Sequence, residues 1–240
     1  MEDTTMEPIT YQSPEQVQAR VNAFVASVYN WMFIGLTLTG VLAYATFQVP
    51  ALTKLIFNTP GVFIGLIIAE LALVFILSSR ITTMKAGTAT GMFVVYSALN
   101  GLTMSFIFAV YAKTAIFGAF FATAGTFAAC SVYGWVTKKD LTSMGGFMFM
   151  GLIGVIIASV VNIFLASTAL YWAITYLTIA IFVGLTAYDT QKIKEMALTQ
   201  PEDIGASAVR KGAIMGALHL YLDFINLFLM MLRLFGGGRD

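Results

Sequence analysis

Charge is what this sequence has least of. Only 10% of its 240 residues are Asp, Glu, Lys or Arg, against about 25% in an ordinary soluble chain. With a formal net charge of +1 and an acidic N-terminus, the chain offers no basic surface for DNA or RNA. Its single cysteine, Cys130, excludes an intrachain disulfide and any metal cluster built on thiolates. Proline is confined as well. All five prolines, Pro8, Pro14, Pro50, Pro60 and Pro201, fall outside the apolar runs, as expected if those runs are uninterrupted helices. Residues 1–20 hold four acidic residues and two prolines but no apolar core. That is the opposite of a signal peptide, and it reads as a flexible cytoplasmic tail.

Hydrophobic length is plentiful. Apolar residues make up 59% of the chain, and a bilayer-spanning helix needs about 20 of them in a row. Seven runs qualify: 21–47, 61–79, 86–112, 114–136, 145–166, 170–189 and 212–235. The expectation is an all-α membrane protein of seven transmembrane helices, forming one domain over 21–240. The uncharged stretch 141–188 is too long for one span, and Ser167 and Thr168 mark its turn. Only 190–211 is long enough for a sizeable loop. Gly-Leu-Thr recurs at Gly35, Gly101 and Gly184, too short a repeat to establish duplication, and no broken helix stands out.

Lysine and arginine set the orientation, because cytoplasmic connections carry the excess. With the N-terminus inside, nine lie on that side (Arg20, Arg80, Lys85, Lys138, Lys139, Lys192, Lys194, Arg210, Lys211) and four on the other (Lys54, Lys113, Arg233, Arg239). The prediction is N-terminus cytoplasmic and C-terminus outside. Trp31 and Trp135 would then sit toward the inner interface and Trp172 toward the outer one.

The last run carries a pattern of its own. Gly212, Gly216, His219, Asp223, Asn226, Met230 and Arg233 recur at alternating spacings of four and three, which lines them along one helical face. Lipid cannot solvate a carboxylate, so that face must meet protein or water. A central helix surrounded by the others is the expected solution, with Asp223 shielded from lipid.

Ionisable side chains within spans mark functional sites by default, and here they are Glu70, Asp189, His219 and Asp223. At about 1.5 Å per residue, Glu70 lies near mid-membrane, while Arg80, at the cytoplasmic end of run two, lies level with Asp189. His219 and Asp223 are four residues apart and share a face. One histidine without cysteines is a poor zinc set. Two neighbouring carboxylates, in contrast, can hold one proton between them and sense pH, and a hard oxygen pair suits calcium.

The segments 184–194 (Gly-Leu-Thr-Ala-Tyr-Asp-Thr-Gln-Lys-Ile-Lys) and 220–229 (Leu-Tyr-Leu-Asp-Phe-Ile-Asn-Leu-Phe-Leu), with Lys-Lys-Asp-Leu at 138–141, resemble the bacterial branch of the Bax inhibitor-1 family. The resemblance covers the chain from Asn30 onward. It implies two groups of three helices around the seventh, and an inner-membrane location if the source is bacterial. It also implies a pH-sensitive calcium leak governed by an aspartate pair, here Asp189 and Asp223. Arg80 resembles the arginine that latches onto that pair, and Glu70 the acidic partner on the same helix. His219 departs from the small or hydroxyl residue more usual at its position. Asp189 and Asp223 would meet calcium only transiently, with Glu70, His219 and Asn226 on the ion path or in a polar cluster. No cofactor and no catalytic residue is implied.

Two other readings come from different classes. Paired aspartates on the last two helices, one preceded by Tyr188, resemble the presenilin arrangement of an intramembrane protease. That arrangement has Gly-x-Gly-Asp at its second site, where 220–223 here reads Leu-Tyr-Leu-Asp. The other alternative is a non-transporting regulator that binds membrane proteases or other membrane proteins through its helices. A retinal protein is disfavoured by the absence of lysine from run seven.

Overall fold

The computed structural model describes residues 13–201 and 204–236, and every regular element among them is helical: α1 (Pro14–Phe47), α2 (Pro50–Phe57), α3 (Pro60–Arg80), α4 (Ala86–Met104), α5 (Ile107–Val110), α6 (Lys113–Val136), α7 (Thr142–Leu165), α8 (Thr168–Leu198) and α9 (Ala206–Gly236). Seven stretches are long and apolar enough to cross a membrane, α4 and α5 counting together as one. All seven expected runs are therefore present. Pro14, Pro50 and Pro60 each open a helix, the one helical position where a missing N–H costs nothing.

Helix ends differ from the hydropathy reading in three places. Residues 1–12 of the expected tail lie outside the described residues, but 14–20 are the first turns of α1. Ser13 Oγ accepts from the Gln16 N–H at 3.3 Å, and Gln16 Oε1 accepts from the Ser13 N–H at 2.8 Å, a capping box that starts the helix before the apolar run does. The expected loop 190–211 is mostly helix, because α8 continues to Leu198 and α9 starts at Ala206. Hydropathy marks where a helix leaves lipid, not where it stops. Finally, run three is interrupted: α4 ends at Met104 and α5 resumes at Ile107. The turn at 166–168 falls where expected, with Ala166 in the left-handed region at φ 47° and Ser167 capping α8.

Helix α9 is the axis. Two-thirds of its apolar window is buried (67%), against none of α7's and 6% of α3's. It packs against α1, α4, α6 and α8, whereas α3 rests mainly on α4, and α7 on α8. Lipid is as apolar as leucine, so close van der Waals fit and interhelical hydrogen bonds must hold such helices together. Both are visible. A Cβ on Gly134 of α6 would collide with the Ala187 carbonyl of α8, so only glycine permits that crossing. Tyr221 of α9, fully buried, shares a 2.7 Å hydrogen bond with Thr39 Oγ1 of α1, which also reaches the Ser97 carbonyl of α4 at 2.8 Å.

Candidate functional site

The stripe on α9 faces α8, where Gly216 packs beside Ile193, and lower down it opens onto a cavity of about 530 Å³ between α7, α8 and α9. Asp189 from α8 and Asp223 from α9 both line it, with His219, Lys192, Tyr188 and Asn226. The two carboxyl groups thus border one enclosed space, contributed by adjacent helices. Asp223 is 3% exposed, and its Oδ2 is buried without a hydrogen-bond partner. Helical spacing makes the arrangement: His219 and Asp223 are one turn apart on α9, and Tyr188, Asp189 and Lys192 occupy one turn of α8.

The positive charge facing this pair differs from the expectation. His219 Nδ1 lies 3.9 Å from Asp189 Oδ1, the one ion pair among the described residues and too long for a hydrogen bond. The Lys192 ammonium sits 5.7 Å over the Tyr188 ring. Arg80 does not reach Asp189: its side chain is exposed at the end of α3, which packs on α4 and α2. Equal depth does not fix azimuth: α3 rests mainly on α4, whereas the cavity holding Asp189 is walled by α7, α8 and α9.

Glu70 faces a different cavity, of about 600 Å³, between α3, α4 and α9. Its Oε1 accepts from Thr103 Oγ1 at 2.9 Å. Leu222 and Asn226 line both cavities, so α9 forms part of the wall of each. No group of three or more His, Cys, Asp or Glu side chains is placed to hold a metal among the described residues. Calcium seeks six to eight oxygens, so a bare carboxylate pair suits a passing ion rather than a resident one.

Sequence reading missed the residues that frame the site. Gln191 accepts from the Leu141 N–H and donates to the Lys139 carbonyl, both at 2.8 Å, fastening the start of α7 to α8. Lys194 Nζ donates to the Trp135 carbonyl at 2.7 Å and stacks over that ring. The signal for Lys192 was present in its i+3 spacing from Asp189. Nothing local marked Gln191, whose partners are about fifty positions away.

Residues 21–240 match the family model described as inhibitor of apoptosis-promoting Bax1. The chain is 50% identical over 224 residues to the inner membrane protein YbhL of Escherichia coli K12, covering 93% of this chain and 95% of that protein. It is also 43% identical over 219 residues to an uncharacterized protein of Borreliella burgdorferi, covering 91% and 94% of the two chains.

Proposed function

The chain belongs to the Bax inhibitor-1 family of membrane proteins, and from that premise we propose that it is a pH-sensitive calcium leak channel whose gate is the Asp189–Asp223 pair. One observation carries the reading: two carboxylates from adjacent helices meet in a cavity inside the membrane-spanning bundle, one of them with an unpartnered buried oxygen. Ion pathways are where a membrane protein tolerates such groups. A bacterial inner membrane suits it, as for YbhL. An inward N-terminus agrees with the end of the bundle where Arg210 stacks over Trp31 and Lys194 over Trp135.

The gate works by charge. With the pair ionised, the Lys192 ammonium is drawn to it by an attraction that is strong where water is scarce, and α8 and α9 are held across the cavity. Protonation removes that attraction, the walls loosen, and leak rises as pH falls. Because neighbouring carboxylates share protons, the titration belongs to the pair. Protonated His219 adds positive charge to the same cavity and opposes cation passage, so His219→Ala extends the rise to lower pH. The restraint assigned to Arg80 from sequence passes in this reading to Lys192.

The test is calcium influx into proteoliposomes from pH 6 to 8 for wild type, Asp189→Asn, Asp223→Asn, Lys192→Ala and Arg80→Ala. Expected are an acid-stimulated wild type, flattened profiles for both aspartate variants, raised flux at neutral pH for Lys192→Ala, and an Arg80→Ala profile like wild type. A pH-independent wild type would overturn the gate. A shift confined to Arg80→Ala would move the latch to α3.

A further inference from the structure

The Glu70 cavity contains an imbalance that the aspartate cavity does not. The aspartate pair has His219 and Lys192 beside it, but no lysine, arginine or histidine lines the cavity around Glu70, and Glu70 forms no ion pair among the described residues. A carboxylate inside a membrane protein without a built-in counter-charge calls for one from outside.

The surrounding atoms are of one kind. Asn100 of α4 is 8% exposed, and its Nδ2 donates to the Tyr96 hydroxyl at 3.2 Å. That bond turns Oδ1 away from Tyr96, and this oxygen is buried with no hydrogen-bond partner. A buried amide oxygen left unpaired is costly, so native structures rarely leave one without an occupant. Asn226 of α9 likewise commits its Nδ2, to the Leu222 carbonyl at 2.8 Å, which leaves its Oδ1 as an acceptor. Thr103 donates to Glu70 Oε1, so Oε2 remains. The helix itself adds to this: α4 ends at Met104, on the cavity wall, before the chain resumes as α5. The C-terminal end of a helix carries partial negative charge, and interrupted helices place such ends on cation sites in membrane transporters.

We propose that the cavity between α3, α4 and α9 is a subsite for a hard cation of the calcium class, held by Glu70, Asn100 and Asn226. Carboxylate and amide oxygens are the ligands such ions prefer, and water completes the shell. The inference rests on the leak reading for its place on a permeation path, since Asn226 also borders the aspartate cavity, but binding itself is independent of flux.

The experiment uses the full chain in nanodiscs and measures melting temperature and tyrosine-sensitised terbium emission against calcium concentration. Calcium should raise the melting temperature of wild type, Asp189→Asn and Asp223→Asn. In Glu70→Gln and Asn100→Leu its apparent affinity should fall by about tenfold or more, the loss of a charge-assisted or buried ligand. Asn100→Leu also leaves the buried Tyr96 hydroxyl unpartnered, whereas Glu70→Gln keeps an oxygen for Thr103, so Glu70→Gln should melt near wild type without calcium, which separates lost binding from misfolding. Asn100→Asp adds a second carboxylate and should tighten binding. Calcium shifts that persist unchanged in both Glu70→Gln and Asn100→Leu would overturn the subsite, even with leak intact. So would a calcium-insensitive wild type whose stability follows pH alone, because a protonated Glu70 would then satisfy Asn100. Absence of flux with these shifts intact would instead remove the channel and leave the subsite standing.

Discussion

Two neighbouring glycines on α7 make opposite predictions. A Cβ on Gly145 would lie 2.5 to 2.7 Å from three ring carbons of Tyr188, about 1 Å inside ordinary contact. Those carbons are at the root of the ring, so the tyrosine must swing as a body. Overpacking of this kind costs about 1–3 kcal/mol, while replacing a helical glycine by alanine returns up to about 1 kcal/mol. Gly145→Ala should therefore be neutral to roughly 3 kcal/mol destabilised. Gly146 has no atom within 4 Å of its would-be Cβ, so Gly146→Ala keeps the helical gain of up to about 1 kcal/mol undiminished. Unfolding in mixed micelles reads the difference, and calcium flux from pH 6 to 8 reads its consequence. Displacing Tyr188 removes the ring under Lys192, so the pH profile should move in Gly145→Ala and stay in place in Gly146→Ala. Equal stabilisation of both variants would refute the packing argument. A wild-type profile in a destabilised Gly145→Ala would show that the Tyr188–Lys192 contact has no part in the gate.

Three further outcomes are expected. Tyr221→Phe removes the 2.7 Å bond to Thr39 in a fully buried position and should cost about 1–2 kcal/mol in unfolding experiments; Thr39 keeps its carbonyl acceptors, so a larger loss would point to a wider network. In a chain carrying Cys130→Ala, a cysteine placed at the exposed Ser207 should react with membrane-impermeant reagent only from the cytoplasmic face, and labelling from the outer face would invert the topology. In the flux assay, Asp189→Asn and Asp223→Asn should resemble each other, because the proton is shared. A normal pH profile in one and a flat profile in the other would dissolve the pair into independent sites.

The spans and the central helix were legible because a bilayer imposes a length and a solvent that composition must obey. Asp189 and Asp223 stood out for the same reason, being carboxylates where lipid would be. Helix ends were less visible: Gln191, Lys192 and Lys194 continue α8 beyond the apolar run, in a region governed by helix propensity rather than hydropathy. Azimuth was invisible. Counting residues puts Arg80 and Asp189 at one depth, yet which helix borders which is decided by contacts such as Gly134 on Ala187 that no periodicity encodes. Asn100 escaped notice because an asparagine in an apolar run becomes informative only once its partners can be counted.

Helix α7 touches chiefly α8 and otherwise faces acyl chains, yet it forms a wall of the aspartate cavity. Its 24 residues extend about 36 Å at 1.5 Å each, somewhat more than the roughly 30 Å of a typical hydrocarbon core. A helix of that length meets a thinner or thicker bilayer by changing its tilt, at a cost of fractions of a kcal/mol per Å. Gln191 pins its start, so a change of tilt that pivots there would be felt along the cavity wall. A change of lipid thickness would in that case reach the space around Asp189 and Asp223 through mechanics, with no headgroup recognised and no proton moved.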